Sequence, residues 1–445
     1  MRRLRIVLLA LLAATLLVPA VRQPAPGQTL VRPNIVVILT DDQTVESVTS
    51  ATMPYTKGRA DWVRFSNAIL NVALCCPSRA TILTGRYSHH TGIEANNGAK
   101  FNETVTIATA LRAGGYRTGL IGKYLNDYPF GRGHYIPPGW DYWVAFENRQ
   151  SGGAYFNYTL NENGTPVSYG ATAADYSTDV LAAKAASFIR TATSPFFLYF
   201  APNAPHKPLT PAPRYAGSMA GVAMPHPPNF READVTDKPA WVRNLSIPSA
   251  DTMDKQRRRE YETLRAVDDA VRRLFDALAA KGALDSTVVV FLTDNGFAFG
   301  EHRWTYKLCE YEECVRTPLL VRGPGWTPRT VTALVSNVDL APTFAALAGV
   351  APPYPPDGAS LVPLLTGSAS SVHDGVLIRW KGGSRSVPAF WGVRTDRYKY
   401  VELATGEKEL YDEQVDPYEL QNRHGDPALT QVEADLAAQL AALKR

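Results

Sequence analysis

Four continuous apolar runs, each stopping abruptly at polar residues, restrict what this chain can fold into more than any other feature. Ile35 to Leu39 runs into Thr40-Asp41-Asp42, and Arg117 to Gly122 runs into Lys123. Phe196 to Phe200 leads through Ala-Pro-Asn-Ala-Pro to His206, and Val288 to Leu292 runs into Thr293-Asp294-Asn295-Gly296. Unbroken β-branched and aromatic runs of this kind predict strands covered on both faces. Helical patterns lie between them, the clearest carrying Tyr261, Leu264, Val267, Val271, Leu274, Phe275 and Leu278 on one face. Strands alternating with helices predict an α/β fold: a large central, mostly parallel sheet flanked by helices. Such sheets collect ligands at the carboxyl ends of their strands, so the polar residues that stop the runs are expected to meet in one crevice.

The rest of the chain is organised around that core. The segment from Lys207 to Ser249 is proline-rich and predicts a long irregular insertion flanking the crevice. Pro352 to Asp357 marks a softer boundary, and beyond about residue 368 the pattern changes to short strands and turns. Arg394 to Val401 and Glu409 to Asp412 predict hairpin strands, and a helix is expected from about Gln431 to Leu443. The expected organisation is therefore a leader over 1–20, a catalytic domain over 30–367, and a smaller C-terminal α+β unit over 368–445.

The leader is read from Arg2, Arg3 and Arg5 ahead of an apolar run from Ile6 to Val18, with Val18-Pro19-Ala20 as a small-residue cleavage site. The run is too short to span a membrane, so the mature protein is expected to be exported, secreted or periplasmic, with no membrane span. Removing those arginines takes most of the +4 formal charge with it. A nearly neutral mature chain lacks the charge signature of a nucleic-acid binder. Of the four cysteines, Cys309 and Cys314 are compatible with either a short-loop disulfide or buried thiols in an exported protein. No histidine–cysteine spacing points to zinc.

Residues 75–86 read Cys-Cys-Pro-Ser-Arg-Ala-Thr-Ile-Leu-Thr-Gly-Arg. This matches Cys-x-Pro-Ser-Arg-x-x-x-Leu-Thr-Gly-Arg, the signature of the type I sulfatases, at every specified position. The chain accordingly resembles that family of the alkaline-phosphatase-like superfamily. The resemblance implies that Cys75 is oxidised by a formylglycine-generating enzyme, and that the hydrated aldehyde is the nucleophile. Cys76 cannot be that residue, because Pro77 would follow it directly. Locally, Pro77 suits the first position of a helix, with Ser78 to Thr84 forming its first turns. Residue 75 would then face unpaired N–H groups and the positive end of the dipole, which favours anions.

Asp41, Asp42, Asp294 and Asn295 offer hard oxygens from two strand ends, a donor set that selects calcium or magnesium. The resemblance implies one calcium ion, with residue 75 completing its shell. A sulfate ester gains negative charge on its oxygens as the S–O bond breaks, so cations aimed at them are the main catalytic requirement. The family supplies these from a Gly-Lys motif, matched at Lys123, a Pro-His-x-Pro element, matched at His206, and a second lysine, matched at Lys307. Lys123, His206 and Lys307 would thereby bind the substrate, and Arg79 would hold residue 75 and balance the carboxylates.

One departure is informative. Many arylsulfatases carry a histidine where this chain has Leu125, leaving His89, His90 and His302 as candidates for its role. The string Gly-Lys-Tyr-Leu-Asn from Gly122 resembles instead the N-acetylglucosamine-6-sulfatases, as do Pro137 to Trp143, Trp391 to Thr395 and Asp416 to Leu420. The resemblance implies hydrolysis of sulfated sugars such as N-acetylglucosamine 6-sulfate. Its alternatives are a generic arylsulfatase, a phosphate or phosphonate ester hydrolase of the same superfamily, and an inactive glycan-binding relative.

Overall fold

The structure, a computed structural model, describes residues 32–147, 155–383 and 386–445; the expected leader lies outside them. The four apolar runs form the strands Asn34–Thr40, Arg117–Gly122, Phe196–Ala201 and Thr287–Thr293. They lie side by side in a 10-stranded sheet. Thr287–Thr293, Asn34–Thr40, Phe196–Ala201, Arg117–Gly122 and Tyr142–Phe146 are neighbours in that order and all parallel. The sheet is mixed only at its margins. Leu319–Arg322 pairs antiparallel on one side and Tyr158–Glu162 on the other.

Alternation along the strands decides which layer each side chain joins. Ile35, Val37 and Leu39, with Val288 and Val290, pack against Ala80 and Leu83 of the signature helix and against Leu340 and Phe344. Val36 and Ile38, with Val289 and Phe291, pack on the other face against Leu264, Val267, Val271, Leu274 and Leu278. All of these are essentially inaccessible to solvent, which explains why the runs read as continuously apolar rather than alternating. Each such side chain contributes about 1.5–3 kcal/mol by leaving water. The second face rests on a 31-residue helix, Ala250–Ala280, capped by the Ser249 side chain accepting from the Thr252 amide.

Lys207 to Ser249 is irregular apart from the short turns Pro213–Tyr215 and Ala240–Arg243. At the C-terminal end, Val376–Trp380, Phe390–Arg394, Tyr398–Leu403 and Lys408–Asp412 form an antiparallel sheet. The helix Thr430–Leu443 covers one face of it with Leu436 and Leu440. The expected hairpin is present but starts later, because Arg394 closes the preceding strand and the turn falls at Thr395 to Arg397. Its other face buries Ile378, Trp380 and Tyr411 against Ile69, Leu74, Tyr311 and Val315, in the segments that lead into the signature helix and follow Lys307. Among the described residues, no helix is long and apolar enough to cross a membrane.

Candidate active site

Parallel register brings Asp41, Lys123 and Asp294 to one edge of the sheet, each one residue beyond a strand end. The backbone ties them together there: Asp294 N donates to Thr40 O at 3.1 Å, Lys123 N to Ala201 O at 2.7 Å, and Asp41 N to Ala204 O at 3.3 Å. Gly122 makes this approach possible. Its φ is +121°, and a Cβ there would stand 2.0 Å from the Ala201 carbonyl oxygen. Asp42 follows in the left-handed region, φ 64°, which turns its carboxylate back over the sheet edge.

The signature helix spans Cys75–Thr84 and begins earlier than expected, with Leu74 as its N-cap. Its first intrahelical bond runs from Ser78 N to Leu74 O at 3.0 Å. Pro77 therefore occupies the third helical position, where its missing N–H is again one that no helix partner would use. Cys75 lies inside the first turn, completely buried. The Cys76 amide is satisfied by Asn96 Oδ1 at 3.0 Å.

The other eight residues expected at the site gather around Cys75. Lys307 Nζ donates to Cys75 Sγ at 2.8 Å and to Asp42 Oδ1 at 2.6 Å. Cys75 Sγ lies 3.5 Å from Asp41 Oδ1 and 3.9 Å from Asp42 Oδ1. Lys123 Nζ donates to Asp41 Oδ2 at 2.5 Å. Arg79 Nε donates to Asp294 Oδ2 at 2.7 Å and Arg79 Nη1 to the Lys123 carbonyl at 2.8 Å. Asn295 Nδ2 donates to Asp42 Oδ1 at 2.6 Å. His206 Nε2 stands 3.5 Å from Asp42 Oδ2, and its Nδ1 is 2.6 Å from the Lys207 carbonyl.

Three buried carboxylates thus meet three buried cations, Arg79, Lys123 and Lys307. Burial opposes ionisation of Asp41, yet Lys123, His206, Arg79 and Lys307 hold its carboxyl well below the usual range. Burial likewise opposes Asp42, and Lys307 and His206 pull it down. Asp294 goes the other way, raised by burial and by Asp41 against the pull of Arg79. Burial, helped by Asp41, pushes the Cys75 thiol up to about 12. That is opposite to the low-pKa thiolate a helix start can produce, and it makes the unmodified thiol a poor nucleophile.

The ligand atoms of Asp41, Asp42, Cys75 and His206 all lie within 4.8 Å of one another. Asn295 Oδ1 is buried without a hydrogen-bond partner beside them. Hard oxygens with one orphaned acceptor are the donor set a calcium ion would satisfy.

Sequence reasoning missed two supports. Tyr155 donates from its hydroxyl to the His206 carbonyl at 2.6 Å, and Trp304 Nε1 donates to the Lys307 carbonyl at 2.9 Å. Neither lies in a motif, so no sequence signal could have found them. The histidines considered in place of a residue at Leu125 point to other partners. His90 Nδ1 is 2.7 Å from Asp357, His302 Nδ1 is 2.7 Å from Glu232, and His89 stacks on Tyr87 and meets Trp391 edge-on. Cys309 and Cys314 are joined in a disulfide.

A buried carboxylate–cation crevice at the strand ends of an α/β sheet, facing a residue in the first turn of a helix, defines a hydrolase of anionic esters. Residues 33–350 match the Sulfatase family, and 300–445 match the N-sulphoglucosamine sulphohydrolase C-terminal family. The chain belongs to the sulfatase family and is a sulfuric ester hydrolase. It is 37% identical to human N-acetylglucosamine-6-sulfatase over 384 residues, 80% of this chain and 68% of the relative. It is 30% identical to the N-acetylglucosamine-6-O-sulfatase of Bacteroides thetaiotaomicron, covering 88% of this chain and 83% of that one. A protein solved in complex with its substrate, D-glucosamine-2-N,6-O-disulfate, superposes with TM-score 0.81 at 27% identity, covering 92% of this chain and 97% of its own. The phosphonate monoester hydrolase of Agrobacterium radiobacter shares the fold, with TM-score 0.76 at 22% identity over 93% and 95% of the two chains.

Proposed function

We propose that this protein is an exported sulfatase of 6-O-sulfated glucosamine units, with N-acetylglucosamine 6-sulfate as the substrate class. The observation that carries the reading is the convergence of Arg79, Lys123 and Lys307 with three carboxylates on Cys75. The cations already match the carboxylates in charge. A divalent ion added to them leaves the crevice positive, which suits a sulfate ester anion and disfavours a neutral one. The sugar comes from the relatives' activities and from the Gly122 to Asn126 string they resemble.

In this reading Cys75 is converted to formylglycine by a formylglycine-generating enzyme, and Asp41, Asp42, Asp294 and Asn295 hold calcium. Calcium supplies charge that polarises the sulfuryl group, and formylglycine supplies a hydroxyl nucleophile in place of a thiol. The chain's own residues do the rest. Lys123 and Lys307 direct their ammonium groups at the sulfuryl oxygens, where negative charge grows. Arg79 fixes Asp294, whose raised carboxyl is the one best suited to accept a proton from residue 75. His206, with its side chain 21% exposed, stands between Asp42 and solvent. Its Nε2 is placed to hold the proton that a departing alkoxide needs.

The test is intact-mass analysis of the tryptic peptide containing Cys75. The active protein should show a loss of about 18 Da, sulfur and two hydrogens replaced by one oxygen. Full turnover with an unmodified cysteine would overturn the assignment, and Cys76→Ser should retain substantial activity. Relative rates on the sulfate and phosphate esters of one phenol separate this reading from a phosphoesterase.

A further inference from the structure

His89 and His90 lie three and four residues past the end of the signature, yet neither meets the carboxylate crevice, and their surroundings have unused chemistry. Arg379, on the strand Val376–Trp380, is only 7% exposed. Its Nη2 makes an ion pair with Glu94 Oε1 at 2.5 Å without hydrogen-bond geometry, and its Nε and Nη1 are buried without any hydrogen-bond partner. Both ring nitrogens of His89 are likewise buried and unpartnered, as is Arg86 Nε. The two side chains share one platform: the Arg379 guanidinium lies 4.0 Å from the Trp391 ring centroid, and the His89 ring lies 5.2 Å from it, edge-on. Buried donors left unsatisfied cost about 1–3 kcal/mol each, more when charged, so the two Arg379 N–H groups, Arg86 Nε and the single N–H of a neutral His89 mark a missing acceptor.

The local field gives the sign of that acceptor. Burial holds Arg379 below the usual guanidinium range, with Glu94 alone opposing. Burial, then His90 and Arg379, push His89 down to about 4. The cluster is short of negative charge, and an anion against these N–H groups would relieve both residues.

The place in the fold gives its source. Asn71 knots the cluster to the crevice. Its carbonyl accepts from Arg379 N at 2.9 Å, its Oδ1 from Ser88 N at 3.0 Å, and its Nδ2 donates to the Leu377 carbonyl at 3.0 Å. Cys75 follows it in the chain with a Cα separation of at most about 14 Å. On the other side, Glu94 holds Arg379 while Asn96 holds the Cys76 amide. The cluster therefore flanks the first turn of the signature helix on the side of the C-terminal sheet.

We propose that Arg379 and His89, on the Trp391 platform, form a subsite for a second anionic group of the glycan substrate, a sulfate or carboxylate other than the ester that is cleaved. Two sources share that chemistry: an N-sulfate on the same glucosamine, and the carboxylate of a neighbouring uronic acid. The inference rests on the sulfatase reading for its substrate but not for its binding.

The experiment compares kcat/KM for N-acetylglucosamine 6-sulfate, glucosamine 2-N,6-O-disulfate, and a 6-sulfated glucosamine linked to a uronic acid. Arg379→Ala should lower the ratio of dianionic to monoanionic substrate by about tenfold or more, through KM, as expected for a lost charge-assisted contact. Arg379→Lys should recover part of it, and His89→Gln, which spares the buried charge, should lower the same ratio more weakly. A fall confined to the N-sulfated substrate assigns the same-sugar source, and one confined to the uronate assigns the neighbour. Equal losses on all three substrates, or an unchanged ratio in both Arg379 variants, would overturn the subsite. A heparin tetrasaccharide titrated calorimetrically into wild type and Arg379→Ala separates the two readings. Arg379-dependent binding in a protein that cleaves no sulfate ester would sink the proposed function and leave the subsite standing.

Discussion

Replacing Lys307 with methionine isolates the most loaded contact in the crevice. Lys307 is 1% exposed, and its ammonium joins Asp42 at 2.6 Å to Cys75 Sγ at 2.8 Å. Methionine keeps most of the buried stem and removes the charge. Asp42 then retains the Asn295 amide at 2.6 Å and His206 at 3.5 Å. Breaking a buried pair by deleting one partner costs about 3–5 kcal/mol, a large share of the 5–15 kcal/mol by which a typical domain is stable. The unfolding midpoint should fall by several degrees, and calcium should restore much of it by neutralising Asp42. Catalysis should not recover. A donor aimed at developing charge is worth about 100- to 1000-fold in kcat, roughly 3–4 kcal/mol of barrier. Calcium affinity should rise in the variant, since the lysine repels a divalent cation at the same carboxylate. Steady-state turnover of 4-nitrophenyl sulfate, thermal unfolding and a calcium titration measure the three effects separately. A folded Lys307→Met enzyme with kcat within tenfold of wild type would refute the clamp, and weaker calcium binding would refute the electrostatic sign.

Gly122→Ala should abolish the soluble fold or cost more than about 3 kcal/mol in thermal unfolding, because its Cβ would stand 2.0 Å from the Ala201 carbonyl at φ +121°; a loss under about 1 kcal/mol would show that the two strands can part. Asp294→Ala should remove calcium and activity together, by about a thousandfold, since it also strands Arg79, and a calcium titration alongside turnover checks both. His206→Ala should lose far more rate on N-acetylglucosamine 6-sulfate than on 4-nitrophenyl sulfate, because a primary alkoxide leaves only when protonated and a phenoxide does not need to be. Equal losses would reduce His206 to positioning the sulfate.

Much of this was legible before any coordinates, for a physical reason. A strand buried on both faces has no polar alternation to blur its ends, so Leu39, Gly122 and Leu292 announce where the crevice begins. A parallel sheet then needs no further information to bring Asp41, Lys123 and Asp294 together. The margins of the sheet were not legible, because Val63–Phe65 and Leu319–Arg322 are too short to carry a pattern. The helix start was misplaced at Pro77 because proline fits any position whose N–H the helix leaves unused, and three more such positions were available. The Arg379–Glu94 contact joins residues far apart in sequence and belongs to no motif.

The chain's answer to the histidine missing at Leu125 follows from the same geometry. Leu125 is 1% exposed and belongs to the core cluster that holds Tyr124, Tyr128 and Trp143, so that position turns away from the crevice. Of the chain's eight histidines, His134, His226, His373 and His424 are tied to Glu147, Asp254, Asp339 and Glu433, and His89, His90 and His302 are held as described. Among the described residues, His206 alone places a ring nitrogen within 4 Å of a crevice carboxylate, at 3.5 Å. One imidazole is then available for both halves of the reaction. In the proposed mechanism, the ring that gives its proton to the departing alcohol would be left in the basic form that sulfate release requires, and a second histidine would be dispensable. Its mobility is limited from both ends, by the Lys207 carbonyl on Nδ1 and by Tyr155 on its own carbonyl. Under the proposed mechanism, that clamp would let a single ring return to the same place for the second transfer.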